Sequence, residues 1–300
     1  MTVRRERNVS DVGSSVPRRQ LGRLLRQARE EAGINLEAAA EALEWSRAKM
    51  YRLEGGQTSL RTHDVTLMCQ FYGTSAELTE VLVSLARESK ARGWWHAYGE
   101  VIPAWFELYV GLEAAACRIR HYESNLIPGL LQSPEYMAAV FATKQSRTPQ
   151  EVAQKVALRM ERQRLLSRRS PAAPRFEAIV DESVIRRPIE DLEVWQLQLA
   201  HLVNASQAHN VSFRVLPLTA GPHKVSVAGA FIVLDFPAVG TRPAEPSTIY
   251  CESLTGSLYL DRPSEVEAYS DAWQTLQGLA LDERASEDLV STVIKESYDE

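Results

Sequence analysis

NLEAAAEALEWSRAKMYRLEGG, residues 35–56, is the stretch that decides how the first part of this chain folds. Asn35 can cap a short helix with Leu36, Ala39, Ala40 and Leu43 inward, and Ser46 can cap a second with Met50 and Leu53 inward. Asn and Ser serve there because their side-chain oxygens accept from an unpaired N–H of the first helical turn. Gly55-Gly56 ends the second helix. The tight turn between the two, with the small Ala40 where they must approach, is the layout of a helix-turn-helix. In that motif the N-terminal residues of the second helix enter the major groove of DNA. The cap and the outward residues of this helix are Ser46, Arg47, Ala48, Lys49, Tyr51 and Arg52. Arginine and lysine pair with guanine O6 and N7, each good pair contributing about 1–3 kcal/mol of discrimination. Ser46 and the helix N-terminus suit a phosphate oxygen, since N–H groups point outward there.

The flanking text completes an all-α domain of five helices over residues 17–90. After Pro17, Leu21, Leu24, Leu25 and Ala28 form a buried stripe, with Arg18, Arg19, Arg23, Arg26 and Arg29 at the wetter positions and Gly33 as the stop. Thr62 opens a fourth helix with Val65, Met68, Cys69 and Tyr72 inward, and a fifth follows over about 75–90. Residues 1–16 hold few large apolar groups and read as a flexible arm.

Charge is distributed to match. The chain carries a net charge of −5, yet residues 1–62 hold 12 Lys and Arg against 8 Asp and Glu, leaving 22 against 31 for the rest. Phosphate binding depends on local cationic surface, so a basic head on an acidic body is permitted. No run approaches the ~20 apolar residues of a membrane span, and no apolar segment follows the first arginines to make a secretory signal. Three scattered cysteines fit a reducing compartment, so a cytoplasmic protein is expected.

Behind the head, residues 91–300 read as an α+β domain, with a helical part over 91–170 and a sheet-containing part over 171–300. Helical patterns fall at about 112–122, 134–143 and 149–168, the last ending in the basic RMERQRLLSRR, a solvated face or a second nucleic-acid patch. Strand-like text follows at 176–182, 212–217, 229–236, 247–252 and 257–260, with helices near 190–208, 263–280 and 285–297. Short strands grouped together point to an antiparallel sheet. Trp94, Trp95, Tyr98, Trp105, Phe106 and Tyr109 can line a ligand pocket or a partner surface, because aromatics anchor interfaces, or can close a core. Tyr122, Glu123 and the turn at 127–132 admit the same two roles.

Residues 20–73 resemble the lambda-repressor-like (XRE) helix-turn-helix family, on LGRLLRQAREEAG, NLEAAAEAL and WSRAKMYRLEGG with Glu54 ahead of the glycines. Three positions depart from that pattern. Leu36 stands where the family usually has a DNA-gripping glutamine, Glu44 where the turn is typically glycine, and Trp45 in place of a smaller aliphatic residue. The rest of the chain is similar to the C-terminal module, of unknown function, of the actinobacterial WhiJ-like regulators. The resemblance runs through GWWHAYGEVIPAWFELYVGLEAAA, YESNLIPGLLQSPEYMAAV, FEAIVDESVIRR, RVLPLTAGPH and IYCESLTGSLYL. It implies a regulator, often encoded beside a small partner protein, with some relatives antitoxin-like.

The expected protein is thus a sequence-specific transcription factor that binds double-stranded DNA as a homodimer, with no cofactor and no membrane contact. Its body would supply dimerisation and sense a small partner protein or a small-molecule ligand. The alternative is an antitoxin-like interaction protein that sequesters a small partner and uses DNA binding for autoregulation. An enzyme is not expected. The histidines at 63, 96, 121, 201, 209 and 223 lack metal-ligand spacing, and no phosphate-cradling or nucleophile-elbow motif occurs. Asp181-Glu182 end a strand where adjacent residues face opposite sides, which leaves one as a solvated edge charge.

Overall fold

The computed structural model describes residues 15–89, 104–143, 147–238, 244–254 and 256–297. The chain divides at Ala115–Ala116 into two units, each with its own core.

The first unit contains α1 (Ser15–Glu31), α2 (Leu36–Ala42), α3 (Arg47–Glu54), α4 (Thr62–Tyr72), α5 (Ala76–Glu88) and α6 (Ala104–Ala115). Of the expected arm, residues 1–14 lie outside the described residues, and Ser15 and Val16 already belong to α1. Helix α6 groups with the head, although the sequence pattern divides the chain at residue 90. The core gathers Leu21, Leu25 and Ala28 of α1, Ala39 and Ala40 of α2, Met50 and Leu53 of α3, Val65, Met68, Cys69 and Tyr72 of α4, and Leu82, Leu85 and Ala86 of α5.

Two of the arginines expected on the wet side of α1 are buried instead. Arg19 lies within the fold, and Arg29 donates from Nε and Nη2 to the two carboxylate oxygens of Glu54 at 2.7 and 2.8 Å. The helical stripe could not show this, because the partner that compensates the buried charge lies 25 residues away. Gly22 faces the same helix. A Cβ there would stand 2.6 Å from the carbonyl oxygens of Leu53 and Glu54, so α1 and α3 touch backbone to backbone.

Helix α2 ends in a Schellman turn. Glu44 N–H donates to Glu41 O at 3.0 Å and Trp45 N–H to Ala40 O at 2.8 Å, which requires a left-handed residue at Glu44. Its φ is 54°, and among the described residues it is the one non-glycine with positive φ. Helix α4 ends the same way at Gly73, φ 70°, without a side chain to strain.

The second unit runs β1 (Arg118–Glu123), α7 (Pro134–Ala142), α8 (Pro149–Gln163), β2 (Arg175–Asp181), α9 (Glu182–Arg186), α10 (Leu192–Ser206), β3 (Val211–Leu216), β4 (Phe231–Asp235), β5 (Thr248–Ser253), β6 (Gly256–Leu260), α11 (Pro263–Leu279) and α12 (Glu283–Glu296). The sheet order is β3-β2-β1-β4-β5-β6. It is mixed, which corrects the expected antiparallel sheet: β1, β2 and β3 are parallel, while β4, β5 and β6 add antiparallel. The missed element is β1, taken from sequence as the end of a helix at 112–122. Its text, RIRHYE, carries few apolar residues because its arginines pair across the sheet, Arg118 with Glu177 and Arg120 with Asp235. With β1 in place, the strand–helix–strand runs into β2 and then β3 are parallel crossovers, as such alternation demands.

One sheet face holds Tyr122, Ile179, Leu216, Phe231, Val233 and Ile249 under Trp273 and Leu276 of α11, with Val225 from the loop after β3. Phe176, Ala178, Val180, Phe213 and Val215 alternate onto the other face and are buried there. The turn at 127–132 is held by buried amides: Gln132 Nε2 donates to Ile127 O at 2.6 Å and Gln198 Nε2 to Leu131 O at 2.9 Å. Gln198 also accepts from Ser133 N–H at 2.7 Å.

Replacing Glu44 with glycine should raise stability by about 1 kcal/mol, because an L-residue pays roughly that much in the left-handed region. Thermal denaturation checks it: the variant should melt later than the wild type, and an earlier midpoint would contradict the account.

Candidate nucleic-acid interface

The face of α3 that turns away from the core is the candidate site. Met50 and Leu53 are fully packed, so the 3.6-residue period sends Arg47, Ala48, Tyr51 and Arg52 outward, and all four are exposed. Tyr51, 66% exposed, is among the most open large side chains of the head. Ser46 is exposed as well, and its Oγ accepts from Lys49 N–H at 3.2 Å, closing the first turn. Lys49 is half-buried because its Nζ sits 3.7 Å from the centroid of the Trp45 ring. The six sequence candidates therefore share one short helix and its cap.

Two further residues shape this surface: Trp45, noted from sequence only as a departure from the family pattern, and Glu37, not singled out at all. Trp45 holds the Lys49 ammonium over its ring face, a contact that contributes about 0.5–1 kcal/mol at exposed sites and leaves the charge in place. The spacing of four residues between them was the available signal. Glu37 on α2 reaches across the turn to Arg47, Oε1 to Nε at 2.9 Å. Both partners are more than half exposed, so solvent weakens the pair, and it orients the guanidinium more than it stabilises the fold.

The helix is held from behind. Arg29 joins Glu54, the last residue of α3, and its Nη1 also donates to Ile34 O at 2.8 Å, just before α2. The bond to Glu54 holds the Arg29 guanidinium above its usual pKa, against the opposing effect of burial. The Tyr72 hydroxyl stands close to this pair, and burial first, then the Glu54 carboxylate, push its pKa up.

The aromatic segment is placed differently. Trp94, Trp95 and Tyr98, with the side chain of Trp105, lie outside the described residues. Phe106 is partly exposed and stacks on Tyr109 at 5.2 Å between centroids. Tyr109 is buried and donates to Glu113 Oε1 at 2.6 Å.

In the second unit the basic end of α8 is partly engaged within the fold, although Arg164 and Arg169 are exposed. Arg162 is buried, Arg159 reaches Gln132 and lies 4.4 Å from the Phe141 ring centroid, and Arg164 pairs with Glu161. Of Asp181-Glu182, Asp181 at the end of β2 is the half-exposed member and Glu182 the buried one. Asp181 caps α9, accepting from Ser183 N–H at 2.9 Å, and Glu182 is buried between Arg186 and Leu218 N–H. Among the described residues there is no cluster of three or more His, Cys, Asp or Glu that could hold a metal, and no helix long and apolar enough to cross a membrane.

Comparison with known families gives two domains as well, but assigns most of α6 to the second. A helix-turn-helix domain matches residues 20–82, and a domain of unknown function (DUF5753) matches residues 106–292. No curated protein and no solved structure matches the chain. The helix-turn-helix match points to DNA binding by a regulator.

The Glu37–Arg47 pair gives a direct check on this surface. Glu37→Gln should change stability by less than about 0.5 kcal/mol, as exposed pairs do. Chemical denaturation reads it, and a loss well beyond ~1 kcal/mol would mean that the pair holds the turn together.

Proposed function

The chain belongs to the family defined by the domain of unknown function DUF5753, matched over residues 106–292 and so over more than half its length, and we propose that it is a sequence-specific DNA-binding transcriptional regulator of the XRE type. On this reading α3 enters the major groove, with Arg47, Lys49 and Arg52 at base edges or phosphates. Ser46 and the helix start meet a phosphate, and Ala48 and Tyr51 make close apolar or stacking contact. The body mediates dimerisation and senses a small ligand or partner, so that two heads address half-sites about one duplex turn apart, roughly 34 Å. The WhiJ-like resemblance of the body supports the regulatory role.

The single observation that carries the reading is the exposed cationic face of α3, backed by a packed Met50 and Leu53 and capped by Ser46. An interaction bundle without DNA has no need for Arg47, Tyr51 and Arg52 on one open face beside a cation held over a tryptophan. Removing cations that touch DNA lowers affinity and also flattens its salt dependence, because fewer counterions are released.

The triple change Arg47→Ala, Lys49→Ala, Arg52→Ala tests this. DNA selected from a random pool by the wild-type protein should bind the variant at least about a hundredfold more weakly, as expected for removing several interactions of ~1–3 kcal/mol each. The slope of log affinity on log salt should fall by roughly 0.9 for each phosphate that the variant no longer neutralises. Melting should be near the wild type, since the three side chains lie on the outer surface. Undiminished gel-shift affinity in the folded variant would refute the assignment.

A further inference from the structure

At the carboxyl ends of the three parallel strands the body carries a cleft of about 550 Å³. That end of a parallel sheet is where α/β folds hold ligands, because each strand delivers the loop that follows it to one rim. Here β1 contributes Tyr122 and Asn125, β2 contributes Asp181 and Ser183, and the loop after β3 contributes Leu218 and His223. The loop is anchored by Val225, which is buried in the core beneath the sheet. The volume lies within the range of small-molecule sites.

The chemistry of the rim is one-sided. Asp181 lines the cleft, and among the described residues no lysine or arginine does. Ser183 N–H and Oγ both address the Oδ1 atom of Asp181, at 2.9 and 2.5 Å, so the cap occupies one carboxylate oxygen. The buried Nδ1 of His223 meets no hydrogen-bonding partner among the described residues. The Glu123 carboxylate flanks the same strand ends, turned to the backbone N–H groups of Ser124 and Asn125 with His121 at 3.6 Å, while Glu182, which accepts from Leu218 N–H, is already paired with Arg186 and adds little to the field. The Tyr122 phenol reports the resulting field: burial, then Asp181, then Glu123 all hold its pKa up. A phosphate or carboxylate ligand would meet repulsion there, whereas a donor-rich cation would meet an acceptor that still has capacity.

We infer that this cleft is a binding site for a small organic amine, its ammonium held by the Asp181 carboxylate and its carbon skeleton lying against Leu216 and Leu218. The Tyr122 hydroxyl and the Asn125 side chain, which line the same cleft, supply the remaining polar contacts. The site names the ligand class for the sensing role proposed for the body. It rests on that part of the reading and is independent of DNA recognition: a chain that binds amines without binding DNA would keep it.

Isothermal titration calorimetry on the full chain tests the assignment, with ethanolamine, 1,4-diaminobutane and glucosamine as amines and acetate and inorganic phosphate as anions at matched ionic strength. At least one amine should bind saturably, and neither anion should. Asp181→Asn is the discriminating variant, because asparagine caps a helix as well as aspartate does while carrying no charge. It should keep the wild-type melting temperature and weaken the amine about tenfold or more, the usual loss for a charge-assisted bond. Tyr122→Phe, which keeps the ring packed on Phe231, should weaken it less. Absence of amine binding, affinity unchanged in Asp181→Asn, or saturable binding of an anion would each overturn the inference. None of these outcomes bears on the gel-shift result for α3.

Discussion

One buried guanidinium organises the head. Arg29 is 5% exposed and Glu54 8%, and both oxygens of the carboxylate are taken. The remaining nitrogen of the same guanidinium is engaged too, since it donates to Ile34 O at the entrance to α2. The end of α1, the start of α2 and the end of α3 are thereby tied at a single point. Burying such a pair yields little net stability compared with apolar packing, but leaving one partner unmatched costs about 3–5 kcal/mol. The pair thus acts as a register device. It penalises any arrangement in which α3 slides or turns on α1, and the contact at Gly22, where no side chain fits, narrows the choice further. What emerges on the far side is a helix whose outward residues have a defined direction.

The body is governed by a different constraint. Its parallel half is built around β1, a strand with charges along one side that are neutralised by Glu177 and Asp235 on its neighbours. This lets a polar segment sit in the middle of a six-stranded sheet. The three parallel strands then end together, and the loops they feed make a rim rich in acceptors. Asp181 has two jobs at that rim: it ends β2 and caps α9, and it brings a carboxylate to the cleft. Fold and candidate chemistry meet in one side chain.

Much of the head was legible in sequence because its signals are local. Asn35 and Ser46 cap the helices their positions announce, and Ala40 is packed where the helices approach. The departure at Glu44 was equally readable: a turn that wants glycine holds glutamate at positive φ. Arg29 was misplaced because burial of a charge depends on a partner distant in sequence. In the body, five strands were visible as apolar runs, but RIRHYE was not, since its stabilisation comes from ion pairs with other strands. Missing that one strand turned a mixed sheet into an antiparallel one. The cleft was illegible for the same reason, because its walls come from three loops that only the sheet order brings together. His223 and Asp181 were noticed singly, without anything to join them.

The central claim is that the Arg29–Glu54 pair docks α3 so that its cationic face is presented to DNA. Affinity for selected DNA, measured by fluorescence anisotropy on Arg29→Met and on Arg29→Met with Glu54→Leu, tests it most directly. The single change leaves a buried carboxylate unmatched and should cost most of the DNA affinity along with about 3–5 kcal/mol of stability. The double change replaces the pair with apolar packing and should recover both. Wild-type affinity in the single variant, or a stable double variant that fails to bind, would contradict the account.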